Sequence, residues 1–164
     1  MIELLVLDVD GCLTDGKIIY TEKGDEIKAF NVKDGLAIKS WQRLGKEVAI
    51  ITGRKSDIVR RRAEELGISH LFQGVKDKES KLAELVSELG IALENVAAIG
   101  DDLNDYKMLR SVGASFAPAN ASHYVKECVG TVLSRDGGDA AVREMIETIV
   151  KGQGEEEAFL AFWI

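Results

Sequence analysis

The chain alternates short apolar runs, rich in Val, Ile and Leu, with longer segments whose apolar residues recur every three or four positions. Residues 4–7, 48–51, 96–99, 114–117 and 131–133 read as strands buried on both faces. Residues 35–44, 57–66, 79–89 and 103–112 carry the helical period, and Gly45, Gly67, Gly90 and Gly113 stand where those helices should stop. A last helix is expected over 139–151. Strands that alternate with helices through short links build a parallel sheet covered on both faces. The expectation is an α/β fold, a doubly wound, Rossmann-like parallel sheet, in a single domain over 1–151. One stretch breaks the rhythm: 17–20 and 26–30 flank Glu22-Lys-Gly-Asp25 and read as a β-hairpin inserted after the first strand, over about 17–30. The tail 152–164 opens with a flexible joint, Gly152-Gln-Gly154, and ends in seven mostly apolar residues. It packs on its own domain or covers a neighbouring subunit.

With 164 residues the chain can bury most of its apolar surface. Its 21 basic residues against 28 acidic ones leave a net charge of −7, which disfavours nucleic acid and anionic membrane as partners. The excess serves solubility or an acidic pocket alike. Cys12 and Cys128 make neither a disulfide framework nor a zinc spacing. Asp8 interrupts the N-terminal apolar run, so it does not read as a signal peptide, and no stretch approaches a membrane span. A cytoplasmic location is expected.

In open α/β sheets ligands sit beyond the carboxyl ends of the strands. Here the first strand runs into Asp8-Val-Asp10-Gly-Cys-Leu-Thr14-Asp15-Gly16, the second into Thr52-Gly53-Arg54, and a later one into Gly100-Asp101-Asp102-Leu-Asn-Asp105; Lys78 opens the helix before that last strand. A parallel sheet would bring these groups to one pocket. Carboxylates crowded there repel by roughly 4 kcal/mol per close pair at an effective dielectric near 20. An oxygen-only site lacking nearby His or Cys suits Mg²⁺ to offset this. Lys78 adds a cation and Thr52 a hydroxyl donor for a phosphoryl oxygen, so the chemistry indicated is Mg²⁺-dependent phosphoryl transfer. Asp8 and Asp10, two apart, can divide nucleophilic and acid/base work.

The segment Asp8-Val-Asp10-Gly-Cys-Leu-Thr14 resembles the first motif, DxDGxxT, of the haloacid dehalogenase-like phosphatases. Thr52 with Gly53, then Lys78, then Gly100-Asp101-Asp102-x-x-Asp105 resemble that family's second, third and fourth motifs, in its order. The resemblance implies that Asp8 forms an aspartyl-phosphate and that Asp10 is the general acid/base. It also implies that Mg²⁺ is held by Asp8, Asp101 and the backbone carbonyl of Asp10, and that Thr52 and Lys78 hold the transferring phosphoryl group. Asp105 would anchor Lys78, with Asp102 in support. Residues 8–16, 30–35, 51–56, 72–78 and 137–144 further resemble the small cap-less branch that removes phosphate from eight- and nine-carbon 3-deoxy-2-keto sugar acids. Asp139-Ala140 departs from it where the branch often has a further glycine.

The stretch from Thr14 to Thr52 holds only the hairpin and one helix, and that from Thr52 to Lys78 a helix and a short strand, which leaves no room for a cap domain. Walls around the pocket must come from elsewhere. The branch resemblance implies a homotetramer whose neighbours close the active site. A sugar acid needs a cation for its carboxylate. Arg54 is the first candidate and is read as favouring the eight-carbon acid; the branch resemblance alone implies that the dephosphorylated product feeds lipopolysaccharide synthesis. Arg60-Arg61-Arg62 is the second, with Arg62 placed on the substrate side. Thr14 forms a turn or meets substrate, and Gly53 lies against the phosphoryl group. Asn31 and Asp34 lie near the pocket or cap the helix that follows. Cys12 and Trp41 read as packing residues, and His70 and His123 as structural. The competing readings are a nine-carbon sugar-acid phosphatase and a phospho-accepting receiver domain. In a receiver, however, the acidic pair comes first and the lysine last.

Overall fold

In the computed structural model, which describes residues 1–164, the strand β1 (Leu4–Leu7) lies at the centre of six parallel strands. Its neighbours are β4 (Glu47–Ile51) on one side and β6 (Val96–Ile99) on the other. Beyond them lie β5 (His70–Phe72) at one edge and β7 (Ala114–Ala117) then β8 (Thr131–Val132) at the other, in the order β5-β4-β1-β6-β7-β8. The doubly wound α/β expectation therefore stands.

Strand alternation sorts the core into two layers. Leu5 and Leu7 of β1, Val48 and Ile50 of β4, and Ile99 of β6 pack against α1 (Val32–Arg43), α2 (Asp57–Leu66) and α6 (Ala141–Gly152). Leu4, Val6, Ala49, Ile51 and Ala98 face α3 (Lys78–Leu89), α4 (Tyr106–Ser111) and α5 (His123–Cys128). Apolar residues on both faces explain why the central strands read as continuous runs rather than alternating ones.

The helix ends follow their local chemistry. Asn31 caps α1 by accepting from Lys33 N, Ser56 caps α2, Asp77 caps α3, and Gly67 and Gly90 close α2 and α3 in the left-handed region. Several boundaries move from the sequence expectation, among them the first helix, which starts at Val32 rather than at 35. Residues 103–105 form a separate tight turn before α4, the last helix starts at Ala141, and the ribbon strands shrink to β2 (Ile19–Tyr20) and β3 (Glu26–Ile27). Between β1 and β4 the chain inserts only that ribbon and α1; between β4 and α3 it has only α2 and β5.

The tail is a correction. Its joint is a hydrogen-bonded turn rather than a flexible link: Gly154 N and Glu155 N donate to Lys151 O and Val150 O. A short helix, α7 (Glu156–Leu160), then buries Phe159 in the α1/α6 layer. Trp163 Nε1 donates to Ser40 Oγ at 3.0 Å, and the Arg43 guanidinium lies 4.9 Å over the Trp163 ring. The tail thus sits on its own α1.

Candidate active site

The strand order reverses direction at β1, with β4 and β6 leaving to opposite sides, and ligands of such sheets bind at this switch point. Asp8 follows the last residue of β1, and the next residues turn sharply as a wide loop over Val9–Leu13. Thr52 follows β4, and Asp101 lies two residues past β6. Their side chains meet at an open cavity of about 230 Å³ lined by Asp8, Asp10, Thr52, Arg54, Asp101 and Asn104, and also by Gly53 and Asp102.

Beneath the cavity lies a charged triad. Lys78, the first residue of α3, is 2% exposed, and its Nζ donates to Asp8 Oδ1 at 2.7 Å and to Asp105 Oδ1 at 2.5 Å. Asp105, fully buried, uses its other oxygen to accept from Asp101 N at 3.0 Å and Asp102 N at 3.3 Å. This carboxylate holds the loop carrying Asp101 and the ammonium that touches Asp8. Asp102 accepts from Leu103 N at 2.8 Å and caps the turn that presents Asp105.

The electrostatics follow from burial. Burial, reinforced by the charge of Asp105, pushes the Asp8 carboxyl well above the usual carboxylate range despite Lys78. The same two causes raise Asp101 to about 6. Burial works against the charge of Lys78, but Asp8 and Asp105 outweigh it and hold the ammonium above its ordinary value. With Asp8, Asp101 and Asp105 all ionised, three negative charges would face the single ammonium of Lys78, and a divalent cation beside Asp8 and Asp101 would offset that repulsion and favour the ionised forms. The donor set agrees. Asp8 and Asp101 oxygens lie within 4.8 Å of one another and of Cys12 Sγ. Burial pushes the Cys12 thiol up, so it stays protonated and leaves an oxygen site suited to Mg²⁺. Gly11 completes the cradle. Its φ is +102°, and a Cβ there would fall 2.0 Å from Asp101 Oδ2, so only glycine lets this loop lie against that carboxylate.

Other residues fall differently. Thr14 is buried and serves its own loop: Oγ1 accepts from Gly16 N at 3.2 Å and donates to Val9 O at 3.3 Å. Arg54 stands half-exposed at the cavity rim, 3.4 Å from Glu26. Arg62 is not among the cavity residues of its own chain; its guanidinium covers the Phe30 ring at 5.7 Å and fills the space beside Gly35. Arg60 and Arg61 pair with Glu64 and Glu65 on the helix surface. Asp34 does not line the cavity either. Its Oδ1 accepts from Arg143 N at 2.8 Å and satisfies the start of α6. Asn104 and Lys28 are site residues that sequence reasoning missed. Asn104 lines the cavity, while Lys28 reaches Asp10 from the ribbon through a contact that no spacing in the chain foretells.

Residues 70–145 match the haloacid dehalogenase-like hydrolase family. A 3-deoxy-D-manno-octulosonate 8-phosphate phosphatase from Haemophilus influenzae is 43% identical over 158 residues, 96% of this chain and 88% of that protein. The crystal structure of the phosphatase of that name from Moraxella catarrhalis, in complex with magnesium, phosphate and KDO, superposes with a TM-score of 0.96 at 45% identity, covering 99% of this chain and 94% of that one. The cobalt-bound Haemophilus influenzae structure gives 0.92 at 43%, covering 96% and 92%. Likeness of this extent, on a site whose carboxylates and threonine follow strand ends and whose lysine opens α3, places the chain in the haloacid dehalogenase-like family, among the 3-deoxy-D-manno-octulosonate 8-phosphate phosphatases.

Proposed function

We propose that this protein is a Mg²⁺-dependent phosphomonoesterase that hydrolyses 3-deoxy-D-manno-octulosonate 8-phosphate. The observation that carries the reading is the buried Lys78 bridging Asp8 and Asp105 beside Asp101, directly under an open cavity edged by Asp10 and Thr52. A carboxylate held in this way is oriented before substrate arrives, and a phosphoryl group reaching it meets a preset field.

Asp8, Asp101 and the backbone carbonyl of Asp10 would hold Mg²⁺, which when bound supplies positive charge to the phosphoryl oxygens. The chain's own groups do the rest. An Asp8 carboxylate oxygen attacks phosphorus, the bond from phosphorus to the sugar oxygen breaks, and Asp10 gives that oxygen its proton. Thr52 donates to a phosphoryl oxygen, and Lys78 balances charge on Asp8 and the phosphoryl group. Asp10 then takes a proton from water as that water attacks phosphorus, the bond from Asp8 to phosphorus breaks, and inorganic phosphate leaves with Asp8 restored. Arg54, at the rim, reads as the partner of the sugar-acid carboxylate.

The cavity is open above, and Ile18, Ile19, Tyr20 and Ile27 of the ribbon stand exposed beside it, with Tyr20 at 61%. Such a patch supports a homotetramer in which neighbouring ribbons wall the site. The tail, seated on its own α1 through Trp163, still exposes Phe162 and Ile164, so both ribbon and tail offer apolar surface for that contact. Sedimentation of the active enzyme tests this: a fully active monomer contradicts it. No helix is long and apolar enough to cross a membrane, in keeping with the proposed cytoplasmic location.

Phosphate release from the eight- and nine-carbon sugar-acid phosphates and from simple sugar phosphates, with Mg²⁺ and with EDTA, tests the reading. Mg²⁺-dependent preference for the eight-carbon acid is expected. Preference for the nine-carbon acid would keep the mechanism and change the substrate.

A further inference from the structure

Beside the active site lies a second ammonium, Lys28, which the mechanism above leaves without a task. Its side chain is 1% exposed although it belongs to the short ribbon. Nζ donates to Asp10 Oδ1 and pairs with Glu26 Oε1 at 3.0 Å, and Glu26 in turn faces Arg54 Nη2 at 3.4 Å. A line of alternating charges thus runs from the cavity rim, through Arg54, Glu26 and Lys28, to Asp10.

We propose that Lys28 is the positioning residue for the acid/base Asp10: it pins Oδ1 and leaves Oδ2 to exchange the proton with the scissile oxygen. The proposal rests on the phosphatase reading above. A carboxyl group turns readily about its last side-chain bond, and one anchored oxygen removes that freedom. Burying an ammonium is a costly way to seat a ribbon, whereas a charge-assisted hydrogen bond adds direction. Glu26 holds Lys28 from the far side and Arg54 steadies Glu26, so the ribbon's seating and the aim of Asp10 are one arrangement. Lys28 touches no part of the substrate in this scheme, so its effect should fall on the proton-dependent step alone.

The test compares Lys28→Met, Lys28→Arg and Glu26→Gln with wild type, in Mg²⁺, on the eight-carbon sugar-acid phosphate and on p-nitrophenyl phosphate. Steady-state kcat and KM are recorded, together with leaving-group release in the first turnover. The sugar alkoxide must be protonated as it leaves; p-nitrophenolate leaves without a proton. Lys28→Met is expected to lower first-turnover release of the sugar by about 30- to 100-fold, at or below the lower end of what general acid catalysis supplies, because Asp10 itself remains, with KM changed by less than about threefold. First-turnover release of p-nitrophenol should fall by less than about fivefold. Lys28→Arg should recover part of the loss. Equal losses on both substrates, a raised KM with unchanged kcat, or full activity of Lys28→Met would overturn the proposal. Should Lys28→Met not fold, the same leaving-group contrast, at smaller size, is required of Lys28→Arg and Glu26→Gln, and its absence there overturns it. A wild type that releases phosphate from neither substrate overturns the phosphatase reading itself.

Discussion

Replacing Asp105 by Asn probes the buried charge balance without altering side-chain size. The carboxylate accepts on both oxygens, from Lys78 Nζ on one side and from the N–H groups of Asp101 and Asp102 on the other. An amide has one acceptor and one donor end. With its oxygen towards Lys78, its NH₂ faces two backbone donors; turned round, its NH₂ faces the ammonium. Either orientation leaves at least one buried donor unpaired, at about 1–3 kcal/mol, and removes one of the two counter-charges of Lys78. Part of this is offset, because the charge of Asp105 is a cause of the raised Asp8 and Asp101 carboxyls. A net loss of about 3 kcal/mol is expected, which for a domain of this size lowers the melting temperature by roughly 6–12 °C. Urea denaturation in EDTA, with circular dichroism as the readout, measures it in the absence of bound cation. Stability within about 0.5 kcal/mol of wild type would refute the reasoning, since surface changes alone stay inside that margin.

Three further outcomes follow from particular residues. Burial raises the Asp34 carboxyl from its ordinary 3.8 to about 6, so its contribution to stability is full below about pH 4 and is lost as pH rises through 6. Asp34→Asn should therefore flatten the fall in stability between pH 4 and pH 8, by up to about 3 kcal/mol, in denaturant titrations across that range. Mg²⁺ at about 100 times its dissociation constant should stabilise the fold by about 2.7 kcal/mol, and Asp101→Asn should abolish the shift in a thermal melt. Ala140 is the one residue other than glycine with positive φ, at 67°. Ala140→Gly should raise stability by about 0.5–1 kcal/mol in the same melt, as the relief of left-handed strain exceeds the added chain entropy.

How far the sequence reveals this fold depends on where each signal lies. The central strands were legible because burial on both faces leaves unbroken apolar runs such as Leu4–Leu7 and Val96–Ile99. The edge strand His70–Phe72 is short and half-buried, so the room between Thr52 and Lys78 announces it without an apolar run to fix its bounds, and α5 buries only Val125. Ala140 falls on a left-handed backbone position where glycine would be at ease, which apolar periodicity does not reveal. The acidic groups were legible because parallel strands bring their C-terminal ends together, and Asp8, Thr52 and Asp101 each sit within two residues of such an end. Lys28 and Asn104 lie where only tertiary packing tells a site residue from a surface one. In sequence Lys28 looks like any lysine of an exposed hairpin. The tail misled for a similar reason: glycines at 152 and 154 suggest slack, but backbone hydrogen bonds and the buried Phe159 fix its course.

The claim that Asp8 carries the phosphoryl group has a direct test. The Asp10→Asn variant, loaded with Mg²⁺ and mixed with p-nitrophenyl phosphate, whose leaving group needs no proton, would be quenched in acid during the first turnover and its peptides mapped by mass spectrometry. The account predicts a phosphoryl group on Asp8, accumulating because Asp10 no longer activates water. Phosphate released without any labelled peptide, or a label on another residue, would contradict it.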